Sequence, residues 1–243
     1  MSPETQSLLQ VTGLVKRFGG FRALDGLQLH LNAGEILGLV GPNGSGKTTC
    51  INVISGLYAP DGGEIRLDDK SIGGLPSHRL VHAGINRTFQ VPKPFLTMTV
   101  LQNVEVSIAY GGHAGEGLDP RHLLTLLELE SHAERPAAEL NSVQQKLLDL
   151  ARALATKPRI LLVDELAAGL NPAELEKIAA KLKEFARSGM AILVVEHLMG
   201  FIAQVTDRIV VMNAGKEIFE GVLNDAIRNP RVVEVFLGQD DAA

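Results

Sequence analysis

The chain has 243 residues, 45% hydrophobic and 21% charged, which is the make-up of one large globular domain or one domain with an insertion and excludes disorder as its default state. Lys and Arg total 23 against 28 Asp and Glu, a net charge of −5 with no long block of either sign, so no nucleic-acid footprint is visible. The start MSPETQSLLQ lacks the basic and apolar regions of a secretory signal, no apolar run approaches the roughly 20 residues that span a bilayer, and a single cysteine, Cys50, closes no intramolecular disulfide, so the expected location is the cytoplasm.

In chain order, Leu8 to Val15 and Leu24 to Leu31 alternate apolar and polar positions and read as strands around Gly19-Gly20. Asn32-Ala33-Gly34 then turns the chain into Ile36 to Val40, a continuously apolar run of the kind buried on both faces of a mainly parallel sheet. Thr48 to Leu57 follows as a helix ended at Gly56, and Gly62-Gly63 leads into the strand Glu64 to Leu67. From Thr99 to about Ala155 the texture becomes helical, in Val100 to Ala109, Leu123 to Leu129 and Leu147 to Leu154, with Gly111 to Gly117 as a solvated connector. Strand and helix alternate after that: Ile160 to Val163, Pro172 to Ser188, Met190 to Val195, Met199 to Gln204, Arg208 to Met212 and Lys216 to Phe219. This rhythm predicts an α/β fold with a parallel sheet, helices on its faces and one helical insertion.

Gly41-Pro42-Asn43-Gly44-Ser45-Gly46-Lys47-Thr48 fits G-x-x-x-x-G-K-[ST] at every fixed position, between a buried strand and a helix. Average residue usage yields such a match by accident about once in a hundred chains of this length. Its glycines let backbone N–H groups turn inward around a phosphate, and the helix, opening with Thr48 and Thr49, aims its positive end at the same point. Lys47 supplies a point charge to the β and γ phosphates and Thr48 a hydroxyl to Mg²⁺, so ATP and Mg²⁺ are the expected cofactors.

Ile160-Leu161-Leu162-Val163-Asp164-Glu165 is an apolar strand ending in two carboxylates, at the sheet edge where such folds bind ligands. Asp164 is the candidate for the Mg²⁺ shell, and Glu165 for the general base or positioning group on a nucleophilic water. Ala191 to Val195 ends in Glu196-His197, from which a neutral imidazole can reach a γ-phosphate.

These elements in this order resemble an ATP-binding-cassette ATPase over nearly the whole chain, Leu8 to Gly238, and more narrowly the ATP-binding subunits of branched-chain amino acid importers. Arg87-Thr88-Phe89-Gln90, Ala167-Ala168-Gly169-Leu170-Asn171-Pro172, Val195-Glu196-His197 and the stretch from Arg228-Asn229-Pro230 to Phe236-Leu237-Gly238 carry the closer match. The resemblance implies a single cassette, 1–243, whose P-loop NTPase core has an N-terminal antiparallel β part. It also implies an inserted helical subdomain at 91–156, which includes the signature region, and a C-terminal helical tail at 222–238. It gives Phe18 the role of stacking on adenine, although its own position reads as a core residue, and gives Gln90 contact with Mg²⁺ or the attacking water. By the same resemblance Asn171 faces an opposite subunit, and Asn141, Ser142 and Gln144 of the signature complete that subunit's ATP site. The implied partners are a second ATP-binding subunit, identical or homologous, transmembrane permease subunits and, through them, a solute-binding protein, with the chain peripheral on the cytoplasmic face of the plasma membrane.

The signature departs from the family's usual Leu-Ser-Gly-Gly-Gln or Leu-Ala/Ser-Tyr-Gly-Gln: here it is Leu140-Asn141-Ser142-Val143-Gln144-Gln145. Val143 stands where a glycine allows close backbone approach to phosphate, and a β-branched residue adds bulk and excludes positive φ. Two other readings are a cassette that holds ATP but scarcely hydrolyses it, and a soluble cassette ATPase outside transport. Lys47, Thr48, Gln90, Asp164, Glu165 and His197, all present, favour hydrolysis, and the Arg87 to Gln90 match favours transport.

Overall fold

The computed structural model describes residues 7–112 and 117–237; residues 113–116 of the expected connector and Gly238 of the expected C-terminal tail lie outside them. β1 (Leu9–Phe18) and β2 (Phe21–Leu31) form a hairpin, β3 (Ile36–Val40) leads to α1 (Lys47–Ile54), and β4 (Gly62–Leu67), β5 (Lys70–Ser71), α2 (Ser77–His82) and β6 (Ile85–Arg87) follow. Then come α3 (Val100–Tyr110), α4 (Pro120–Leu126), α5 (Ser142–Leu154), β7 (Ile160–Asp164), α6 (Pro172–Arg187), β8 (Ala191–Val195) and α7 (Met199–Val205). β9 (Arg208–Asn213), β10 (Lys216–Gly221), α8 (Leu223–Ala226) and α9 (Pro230–Leu237) close the chain.

One sheet is antiparallel, in the order β2-β1-β4-β5. The other runs β10-β9-β3-β8-β7-β6 and is parallel except at the β9–β10 edge. Side chains along its central strands alternate between two apolar clusters. Ile36, Val40, Leu161, Val163, Ile192 and Val194 join residues of α3 to α7 on one face. Leu37, Leu39, Ile160, Leu162, Leu193 and Val195 join α1, α2 and the antiparallel sheet on the other. A strand covered on both faces is apolar at nearly every position, which explains the unbroken runs in β3, β7 and β8. Register then decides the site: Leu39 and Asp164 both lie opposite Val195, so β3, β8 and β7 release their next residues side by side at one sheet edge.

Several boundaries differ from the sequence reading. α1 begins at Lys47 and ends at Ile54 instead of Leu57. The helix expected from Leu123 to Leu129 starts at Pro120 behind an Asp119 cap and ends at Leu126, since Glu128 sits at φ +60. The helix expected from Leu147 starts at Ser142. α2 and β6 had no counterpart: β6 has three residues, two of them polar, and its strand character comes from pairing with β7. Gly111, expected in a solvated connector, is buried, and a Cβ there would lie 2.4 Å from Thr156 Cγ2.

Candidate functional site

β3 delivers the chain into the glycine-rich loop, whose path is set by two close approaches. Gly41 has φ +148 and Gly46 φ +106, and a Cβ would fall 2.2 Å from Met212 O at the first and 2.5 Å from Ala23 O at the second. Backbone of β9 and β2 therefore leaves room only for hydrogen at these positions. Pro42 O accepts the Ser45 N–H at 3.2 Å, and Lys47 Nζ donates to Gly41 O at 2.7 Å and Pro42 O at 2.8 Å. Burial lowers the Lys47 pKa, opposed by Glu165 and Asp164. No side chain caps α1, so the N–H groups of its first turn remain available to an anion.

A cleft of about 370 Å³ lies over this loop. Asn43, Gly44, Gly46, Lys47, Thr48 and Thr49 line it together with Phe18, Phe21, Ala23, Gln90, Glu165 and His197. Gly41, Pro42 and Ser45 are buried and shape the loop without lining the cleft. Gln90 Nε2 donates to Glu165 Oε2 at 2.7 Å, and His197 Nε2 lies 2.9 Å from Glu165 Oε1, donating when the ring proton is on Nε2. Sequence positions 90, 165 and 197 thus meet on one carboxylate.

Glu165 has φ +49, a left-handed conformation that costs a non-glycine residue about 1–3 kcal/mol and persists only when its surroundings enforce it. Here its N–H donates to Val195 O at 2.9 Å and the Ala167 N–H to Glu196 Oε1 at 2.7 Å. Lys146 Nζ donates to the carbonyls of Glu165 and Ala168, each at 2.8 Å. The Glu196 carboxyl is itself buried, which raises its pKa against the Ala167 N–H and the charge of Lys146.

Asp164, 1% exposed, comes off the same strand end, and its Oδ2 accepts from Arg87 Nη2 at 3.2 Å. Among the described residues its buried Oδ1 has no partner. Burial raises the Asp164 pKa and the Arg87 guanidinium opposes the rise. A buried, unpartnered carboxylate oxygen beside a phosphate loop fits Mg²⁺, which takes one or two carboxylates and completes its shell with phosphate oxygens and water. Arg87 also donates to Asn52 Oδ1 at 2.6 Å and Ser55 Oγ at 3.1 Å, tying the end of α1 to β6 and β7.

Asn141, Ser142 and Gln144 do not line this cleft; they open α5. Asn141 Oδ1 accepts the Gln144 N–H at 2.8 Å, Gln144 Oε1 accepts the Asn141 N–H at 3.0 Å, and Gln144 Nε2 is 2.9 Å from His132 Nε2. Val143 is the second residue of the helix, so its backbone is right-handed and the expected conflict with a positive φ does not arise; only its bulk differs from glycine. Asn171 caps α6 by a reciprocal pair of bonds with Glu174.

Phe18 is 43% exposed, which overturns its reading as a core residue: it ends β1 opposite Phe21, itself 63% exposed, and meets the ring of Tyr58 edge-on at 5.2 Å. Phe21 in the cleft, Arg87 as partner of Asp164, and Lys146, which holds the turn behind Glu165, are residues that the sequence reading did not single out. The symmetry of Phe18-Gly19-Gly20-Phe21 was the available signal for the first.

Fold and cleft together define a P-loop nucleotide-binding protein. The ABC transporter family matches residues 24–168. The chain is 36% identical to the high-affinity branched-chain amino acid transport ATP-binding protein BraF of Pseudomonas aeruginosa, over 97% of this chain and 99% of that one. The crystal structure of the ADP conformation of an ATP-binding cassette of an ABC transporter superposes with a TM-score of 0.86 at 33% identity, covering 96% of this chain and 100% of the other. A dimeric cassette in a post-hydrolysis state bound to ADP and Pi gives a TM-score of 0.79 at 27% identity, over 88% and 98% of the two chains. The chain belongs to the ABC transporter family, as one of its ATP-binding cassettes.

Proposed function

We propose that this chain is the ATP-hydrolysing subunit of an importer for branched-chain or related amino acids, working as a dimer with ATP at the interface. The observation that carries this reading is the convergence of Lys47, Thr48, Gln90, Glu165 and His197 on one cleft. Full-length likeness to BraF supports the importer and the class of solute. Adenine stacks on Phe18, with Phe21 beside it, and the phosphates lie on the loop from Gly41 to Thr49. Thr48, Asp164 and Gln90 would hold Mg²⁺, which would supply positive charge against the phosphates of the bound nucleotide. Glu165 accepts the proton of the attacking water, while His197 steadies its carboxylate and reaches the γ-phosphate.

Residues 91–156 act as a helical subdomain, and the N-terminus of α5, with Asn141, Ser142 and Gln144, faces the nucleotide of the second subunit. Transmembrane permease subunits dock at a groove of about 220 Å³ lined by Phe89, Phe95, Val106, Tyr110 and Arg152, which begins beside Gln90. A solute-binding protein acts through the permease. Among the described residues no helix is long and apolar enough to cross a membrane, and the cassette sits peripherally on the cytoplasmic face. Steady-state MgATP hydrolysis against protein concentration tests the core of the proposal. Specific activity that climbs with concentration is expected; a flat dependence rules out self-pairing, and tight ATP binding without turnover rules out hydrolysis by this chain alone.

The start of α5 favours a second reading, an asymmetric pair in which the partner is a homologous cassette with an intact signature. The Asn141–Gln144 cap already engages two backbone donors, and Val143 adds bulk beside the rest. In a mixed pair, Val143→Gly is then expected to raise the ATPase rate severalfold, and an unchanged rate would sink this reading.

A further inference from the structure

α5 does two things that are adjacent in space. Its N-terminus carries the signature residues, and one turn further on, about 6 Å along the axis, Lys146 leaves the helix to reach the turn that follows β7. There its ammonium bridges two carbonyls three residues apart, Glu165 O and Ala168 O, each at 2.8 Å. From the opposite side the same turn is held by Val195 O on the Glu165 N–H and by Glu196 Oε1 on the Ala167 N–H. Every one of these bonds is made to backbone, so they fix where the Glu165 side chain starts and leave its carboxylate free for Gln90 and His197. Within 165–169 only Glu165 and Gly169 have positive φ, and a left-handed glutamate, unlike a glycine, needs such bracing.

We propose that Lys146 is a positioning residue: it braces the left-handed turn that presents Glu165 and so ties the signature end of α5 to the glutamate of the same chain's own cleft. Lys146 touches neither the cleft nor the phosphate loop, and its action passes through the Glu165 backbone. Resting on the pairing proposed above, this gives the two nucleotide sites of a dimer a short mechanical link. A displacement of α5 by the nucleotide of one site moves the glutamate of the other.

The test compares full-length Lys146→Met and Lys146→Arg with the parent by hydrogen exchange and by MgATP hydrolysis. In Lys146→Met, exchange at the Glu165 and Ala167 amides is expected to rise about tenfold while the loop 41–49 keeps its protection, and Lys146→Arg restores the parent pattern. The same Met variant is expected to lose about tenfold or more in kcat with KM within about twofold, because a base displaced by a fraction of an ångström costs rate and not binding. Unchanged exchange at 165–168, a rise spread over the whole chain, or a normal kcat despite the local rise each overturn the proposal. Should the parent chain alone turn over no ATP, hydrolysis by this chain alone is ruled out, yet the exchange comparison still decides whether Lys146 braces the turn.

Discussion

Glu165→Gln is expected to lower kcat by about 100-fold or more while ATP binding stays near the parent level, since a positioned general base contributes about 10²–10⁴ to rate. The substitution keeps the shape of the side chain, and its amide oxygen can still accept from Gln90 or His197, both within 2.9 Å of the carboxylate in the parent. What it removes, on the role proposed for Glu165, is the site that takes a proton from water. In the proposed dimer ATP sits at the interface, so the variant is also expected to accumulate as a nucleotide-bound dimer, measurable by light scattering with MgATP present. Full turnover in this variant would exclude Glu165 as the base and shift attention to His197.

Arg87→Met is expected to destabilise the fold by about 3–5 kcal/mol, the usual cost of stripping one partner from a buried ion pair. The geometry explains why the loss is at the high end for a single side chain. Arg87 is 8% exposed, its guanidinium holds Asp164 Oδ2 at 3.2 Å, and it is also the donor to Asn52 Oδ1 and Ser55 Oγ. Without it the Asp164 carboxylate is buried with neither oxygen partnered, because Oδ1 has no partner among the described residues. Urea unfolding measures the loss, and adding Asp164→Asn to Arg87→Met is expected to cost less than the sum of the two single changes, since the stranded charge is then gone. Additive losses would show that the two side chains act independently.

The phosphate loop and the β3, β7 and β8 strands were legible because their physics is local to sequence. A loop that needs hydrogen at two positions and a lysine next to its helix has fixed spacing, and strands buried on both faces read as unbroken apolar runs. Lys146 was not legible, because its partners are carbonyls and any residue has one. β6 stayed hidden for a related reason: Asn86 and Arg87 look like loop residues, and only pairing with β7 and the buried charge of Asp164 make them strand. The exposure of Phe18 follows from where β1 ends, a boundary set by its register with β2 and not by hydropathy. Val143 is the reverse case: the freedom of glycine at positive φ has no bearing on a position that is ordinary helix.

Cys50, the chain's one cysteine, lies fully buried in α1 just behind the phosphate loop, and burial pushes its thiol up to about 12. At neutral pH it presents almost no thiolate and no accessible sulfur, so maleimides and alkylating probes pass it by. For spectroscopy the natural chain is therefore already a blank background. A cysteine introduced at an exposed position such as Tyr110, 78% exposed, takes a single label without any change to α1. Distances between two labelled subunits of the proposed dimer could then be measured on an otherwise native nucleotide site.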